Sequence, residues 1–195
     1  TELSFFLKTG HSFENKTILS DIYQIKPGSI NEYDLNSNTF LEVNNFDMRI
    51  YLQKNEKCID TLIDDIYLLI KSSLREQLVA DVPTGLLLSG GLDSSLLTII
   101  AAESFRDINA FSVRFANDIN IKDIDFAKEI TSTYSINHII IDSYKPKLNE
   151  VISFLENLDY PTGDPSCLPT YLLCNSVKNY CKVAIGGDGA DEVFG

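Results

Sequence analysis

The chain has 195 residues, 44% of them hydrophobic and 23% charged, with a net charge of −12 and a pI near 4.5. That length holds one full domain, or one domain and a piece of another. The acidic balance argues against nucleic acid as a partner, since that needs a basic surface. No run of about 18 apolar residues offers a membrane span, and no signal or transit peptide is expected. The chain opens on Thr1 and closes on Gly195 directly after a motif, so it reads as a fragment of a longer, cytoplasmic protein.

Residues 1–52 are rich in Asn, Ser and aromatics, with short alternating stretches such as Leu3-Ser4-Phe5-Phe6-Leu7. Pro27-Gly28 predicts a turn leading into a strand at Ile30. Asn31 to Asn45 reads as a hairpin around Asn36-Ser37-Asn38. So short a stretch cannot bury much core alone. Glu56 to Val79 is an amphipathic helix, with Ile59, Leu62, Ile63, Ile66, Leu69, Ile70, Leu74 and Leu78 at the three-and-four spacing.

Leu86-Leu87-Leu88 is a short apolar run of the kind found in buried parallel strands. It turns through Ser89-Gly90-Gly91-Leu92-Asp93-Ser94-Ser95 into a helix at Leu96–Ala102, which fades near Phe105-Arg106-Asp107. A strand, a Gly-rich turn and a helix start make a phosphate cradle, because glycine lets the backbone approach and free N–H groups face the anion. Ser89, Ser94 and Ser95 add hydroxyl donors. Asp93 would repel phosphate, so its expected use is to hold a Mg²⁺ that bridges to it. Neither the Walker pattern nor G-x-G-x-x-G is present. The blander alternative is a plain βα turn with Asp93 and Ser94 as helix caps.

Downstream, Ala110–Phe115 reads as a strand, Asp123–Tyr134 as a helix, His138–Asp142 as a strand and Leu148–Leu158 as a helix. Leu158–Ser166 is a loop, Leu168–Tyr180 a helix and Lys182–Ile185 a strand. This alternation predicts an α/β fold, a parallel sheet with helices on both faces and right-handed crossovers. Ligands bind such sheets at the carboxyl ends of their strands, where Gly90, Gly91, Arg114 and Asp142 fall. The last strand opens into Gly186-Gly187-Asp188-Gly189-Ala190-Asp191-Glu192, a second acidic Gly-rich loop. Two such loops suit one Mg²⁺–polyphosphate site, gripped by Asp93 and Asp191 from opposite sides.

Of the four cysteines, Cys167, Cys174 and Cys181 recur every seven residues. That spacing places them near one helix face, as reduced, buried thiols. His11 and His138 are isolated, and His138 reads as a strand-end residue rather than a base or ligand.

Ser89–Ser95 resembles the PP-loop of the ATP pyrophosphatases, which cleave ATP between its α- and β-phosphates. With Asp164–Leu172 and Gly186–Gly195 in this order, residues 53–195 resemble the first part of the synthetase domain of glutamine-dependent asparagine synthetases. Thr17–Gly28 and Asp34-Leu35 resemble the end of that family's glutaminase domain, so residues 1–52 are expected to be a β-rich remnant of an N-terminal-nucleophile glutaminase.

The resemblance implies that a carboxylate, aspartate in the parent enzymes, attacks the α-phosphate of ATP. An acyl-adenylate and pyrophosphate form, and glutamine-derived ammonia then displaces AMP. By position, Ser89, Gly90, Gly91, Asp93, Ser94 and Ser95 match the pyrophosphate loop. Leu88, Val113, Gly186 and Gly187 match positions lining the nucleotide. Asp93 and Asp191 match the metal-binding acids, and Asp188, with Asp191, an acidic position near the reacting centre. A homodimer is compatible with the family.

The departures are an absent N-terminal nucleophilic Cys, an absent later catalytic Lys, Gly186 where Ser is commoner, and no Arg in Thr162–Ser166. The isolated chain is therefore expected to neither hydrolyse glutamine nor turn over appreciably, and β-lactam-forming and peptide-cyclising relatives share its motifs.

Overall fold

The computed structural model describes residues 2–47, 58–105, 107–115, 121–143 and 146–194. The backbone divides into two compact units, 1–56 with 158–167, and 57–157 with 168–195.

The first unit contains helix α1 (Glu2–Thr9) and an antiparallel hairpin of β1 (Ser29–Asp34) and β2 (Thr39–Asn45). The hairpin follows the sequence expectation. Its turn is closed by Asp34, whose Oδ1 accepts from the amides of Asn36 (2.8 Å) and Ser37 (3.3 Å). These bonds pull the Asp34 carboxyl below its usual range. The alternation at Leu3–Leu7 does not make a strand. Leu3, Phe6 and Leu7 also satisfy helical spacing, and the helix forms. The loop 158–167 belongs to this unit, with the Gly163 amide donating to Gly10 O at 3.1 Å and the Ile18 amide to the Tyr160 hydroxyl at 2.9 Å.

The second unit is built on a four-stranded parallel sheet. It comprises β3 (Thr84–Leu87), β4 (Asn109–Phe115), β5 (Asn137–Ser143) and β6 (Val183–Ile185) in the order β5-β4-β3-β6. Side chains alternate across it. Leu86 packs with Leu74 and Leu78 of α2 (Ile59–Leu78) and Ile100 and Ala101 of α3 (Leu92–Ser104). Leu88 and Ala110 pack with Ala127 of α4 (Ile121–Thr133). On the opposite face Phe111 packs with Val177, at the end of α6 (Cys167–Val177), and with Cys181. Helices therefore cover both faces. Helix α5 (Leu148–Glu156) meets α6 through the Phe154 and Tyr171 rings, 5.4 Å apart. A short α7 (Ala190–Phe194) follows β6.

Several expected boundaries shift. Helix α2 begins at Ile59; its expected start at Glu56, like Arg106 and Gly195, lies outside the described residues. Strand β3 starts earlier than expected, at Thr84, and releases the chain before Leu88. Helix α3 starts at Leu92, not Leu96, so Asp93, Ser94 and Ser95 stand on its first turn. Helix α6 ends at Val177, which leaves Cys181 beyond it. Of the three spaced cysteines only Cys181 is buried, and Cys174 is exposed, against the expectation of one buried face. All four cysteines are free thiols. Among the described residues no helix is long and apolar enough to cross a membrane.

Candidate functional site

The sheet order creates a switch point. From β3 the chain moves outward to β4 and β5, and β6 then returns to the other side of β3. The loops after β3 and β6 leave neighbouring parallel strands at their carboxyl ends, where open α/β sheets take ligands. A cavity of about 690 Å³ opens there.

The loop after β3 is stapled by its own serines. Ser94 Oγ accepts from the Ser89 amide at 3.2 Å and lies 2.9 Å from Ser89 Oγ, which accepts from the Gly91 amide at 3.2 Å. Gly90 adopts φ +89°, and a Cβ there would sit 2.1 Å from the Asp123 carbonyl oxygen, so the turn requires glycine for both backbone shape and space. The chain then enters α3 with Gly91 at the N-cap and no side-chain cap. Asp93 and Ser94 do not cap the helix, so its first N–H groups remain available to an anion.

The loop after β6 lies directly against this one. A Cβ on Gly187 would meet Asp93 Cβ and the Ser94 amide nitrogen at 3.0 Å each. Leu88, Ser89, Gly91, Asp93, Ser94, Val113, Gly186, Gly187, Asp188 and Asp191 all line the cavity. Gly90 and Ser95 do not: Gly90 backs onto Asp123, and Ser95 is buried within α3. The Ser94 hydroxyl is engaged within the loop. Arg114 and Asp142 pair with each other at 2.6 Å instead of lining the cavity; that bond raises the Arg114 pKa and lowers that of Asp142.

Asp123, from the start of α4, also lines the cavity. Sequence reading missed it, since Asp123 falls in no motif and its role appears only once α4 is packed behind Gly90. Pro169, Thr170 and Leu173 of α6 form another wall. Proline is tolerated there because the first helical turn needs no donor from it.

Among the described residues no cluster of three or more His, Cys, Asp or Glu stands ready to hold a metal. The cavity wall carries five carboxylate residues, Asp93, Asp123, Asp188, Asp191 and Glu192, and Asp93 and Asp191 are the expected metal pair among them. That donor set fits Mg²⁺, which takes one or two carboxylates and completes its shell with phosphate and water.

A doubly wound parallel sheet, with a Gly-rich strand-to-helix turn at its switch point, places the second unit among the open α/β domains that take ligands at strand ends. The asparagine synthase family model matches residues 65–195, and the chain belongs to that family. The glutamine-hydrolyzing asparagine synthetase 1 of Bacillus subtilis is 29% identical over 187 residues, 93% of this chain and 28% of that protein. The probable asparagine synthetase of Schizosaccharomyces pombe is 35% identical over 147 residues, 65% of this chain and 26% of that protein. The chain thus spans 26–28% of the length of these two relatives. Among solved structures, the NMN synthetase of Francisella tularensis matches with a TM-score of 0.47 at 20% identity, over 66% of this chain and 56% of that one.

Proposed function

We propose that this chain supplies the nucleotide site of an ATP-dependent, amide-forming ligase that adenylates a carboxylate, aspartate being the first candidate, and amidates it with glutamine-derived ammonia. One observation carries the reading: two Gly-rich loops from adjacent parallel strands meet on one cavity, with Asp93 and Asp191 on its wall and an uncapped helix start between them. Family membership and the similarity to asparagine synthetases support it further.

In this reading the first N–H groups of α3 and the Ser89 hydroxyl bind the β- and γ-phosphates. Leu88, Val113, Gly186 and Gly187 enclose the nucleoside. Asp93 and Asp191 would hold Mg²⁺, which supplies charge neutralisation on the leaving pyrophosphate. Such local donors are needed in a chain of net charge −12, whose field opposes an anionic substrate.

A substrate carboxylate oxygen attacks the α-phosphorus, and the α–β P–O bond breaks to release pyrophosphate. Ammonia then attacks the acyl carbon, AMP leaves, and the nitrogen loses a proton. In this reading Asp188, exposed and lining the cavity, acts on the reacting centre.

The test uses the full-length protein with ATP, Mg²⁺, ammonia and aspartate, following pyrophosphate release. Aspartate-dependent release that vanishes in Asp93→Ala is expected. Release with other carboxylates but not aspartate would replace the substrate and keep the chemistry, an outcome in line with the absence of Arg in Thr162–Ser166. No release with any carboxylate would overturn the reading.

A further inference from the structure

Leu88 is the last residue before the phosphate loop, and strand pairing has already ended at Leu87. Its amide still donates to Phe111 O at 2.8 Å. Its carbonyl is taken by a side chain, Ser112 Oγ, at 2.5 Å. Ser112 is 1% exposed and sits on β4. Behind it stands His138 of β5, with Nε2 2.7 Å from Ser112 Oγ. Behind His138 is Thr131 of α4, with Oγ1 3.2 Å from Nδ1.

The protons can be placed by elimination. A carbonyl brings none, so the Ser112 proton points to Leu88 O, and Ser112 must accept from His138 Nε2–H. Burial, with the Lys128 charge nearby, disfavours the imidazolium. The neutral ring then carries its proton on Nε2, and Nδ1 faces the Thr131 hydroxyl, whose single proton also has the Ala127 carbonyl within reach at 2.9 Å. The donors run one way, from His138 through Ser112 to the Leu88 carbonyl.

A serine on a buried strand face could satisfy itself locally. Here side chains from β4, β5 and α4 are joined to fix one carbonyl at the point where the backbone leaves the sheet. We propose that Ser112 and His138 are positioning residues for the nucleotide: they hold the Leu88 carbonyl, and so set where Ser89–Ser95 begins. The proposal rests on the ligase reading above.

Kinetics of pyrophosphate release by the full-length protein test it. His138→Leu and Ser112→Ala should raise KM for ATP on the order of tenfold, as small misplacements of binding groups do, with KM for the carboxylate unmoved. His138→Gln, which keeps a donor for Ser112, should restore the ATP KM. Ile100→Val, in the packing against α2, should lower the melting temperature without moving KM. Equal KM values in His138→Leu and His138→Gln would overturn the proposal.

A second measurement needs no substitution in the core. Imidazole ¹⁵N NMR of the unaltered protein should show His138 protonated at Nε2. A ring protonated at Nδ1 alone would overturn the proposal, because Ser112 would then donate to His138 and release Leu88 O. If the unaltered protein releases no pyrophosphate with any carboxylate, the ligase reading fails by itself. The positioning role is then judged by this tautomer and by the Ser89 and Gly91 amide resonances, which should shift in His138→Leu and not in His138→Gln.

Discussion

The two Gly-rich loops of the cavity are built differently. The loop after β3 is stapled by Ser89 and Ser94, tied at its start by Ser112, backed by Asp123 and continued by a helix of 13 residues. The loop after β6 follows a strand of three residues and runs into a helix of five with no buried residue. Its own backbone closes only through the Ala190 amide to Gly187 O at 3.3 Å, and Gly189 has open space around it. The first loop is preorganised, while the second draws its position mainly from lying against the first. On the proposed ligase reading, preorganised donors would suit a pyrophosphate, whose charge is present throughout. On the same reading, a looser partner would suit groups that admit and release substrate.

The sharpest way to break this contrast is Gly90→Ala. The new Cβ would meet the Asp123 backbone rather than a flexible side chain, and φ +89° strains any L side chain. The turn and the start of α4 must both move. We expect loss of about 2–4 kcal/mol of stability, read by chemical denaturation, and loss of measurable ATP binding by calorimetry. A variant that keeps wild-type stability would show that the first loop is not rigid.

Gly187→Ala probes the other side. Its Cβ would press on Asp93 Cβ and the Ser94 amide at 3.0 Å, tight but not impossible. Because the second loop has few ties of its own, it should yield. Stability should stay within about 1 kcal/mol of the parent, while ATP binding weakens on the order of tenfold through displacement of the cavity wall. Equal damage from both glycine variants would erase the distinction between the loops.

The same contrast shows how far the sequence carries. Leu86-Leu87-Leu88 and Ala110–Phe115 are legible because parallel strands are buried on both faces and read as apolar runs. The Gly-rich turns announce themselves because only glycine tolerates the close approach of Asp123 at Gly90. What was not legible is what brings distant segments together. That β6 inserts beside β3 is a matter of sheet order, and no local pattern encodes it. Asp123 reaches the site only because α4 packs behind Gly90. Leu3–Leu7 fits two periods at once, and α6 ends before Cys181 although the heptad continues. His138 does lie near the start of β5, yet its link to Leu88 went unseen. The available signal was Ser112, a lone hydroxyl within Ala110-Phe111-Ser112-Val113 on a buried strand.

The smallest expected effect tests that link through pH. Burial, with the Lys128 charge, holds the His138 pKa below the ordinary 6.5. The unfolded chain therefore takes up a proton near pH 6.5 that the folded chain still refuses. Stability from the neutral ring is complete above that pH, is lost as pH falls through 6.5 toward the folded value, and falls no further from this group below it. Chemical denaturation at pH 7.5 and 5.5 should therefore show a loss in the parent that is absent in His138→Gln. The control matters because acidification also neutralises carboxylates in a chain of net charge −12, which relieves self-repulsion and acts in the opposite direction. That background is common to both proteins, so the difference between them isolates the imidazole. A parent and variant with the same pH response would mean that His138 is solvated enough in the fold to titrate as it does in the unfolded chain. Nδ1 would then gain its own proton as pH falls through 6.5 and change its contact with Thr131, while Nε2 would go on donating to Ser112.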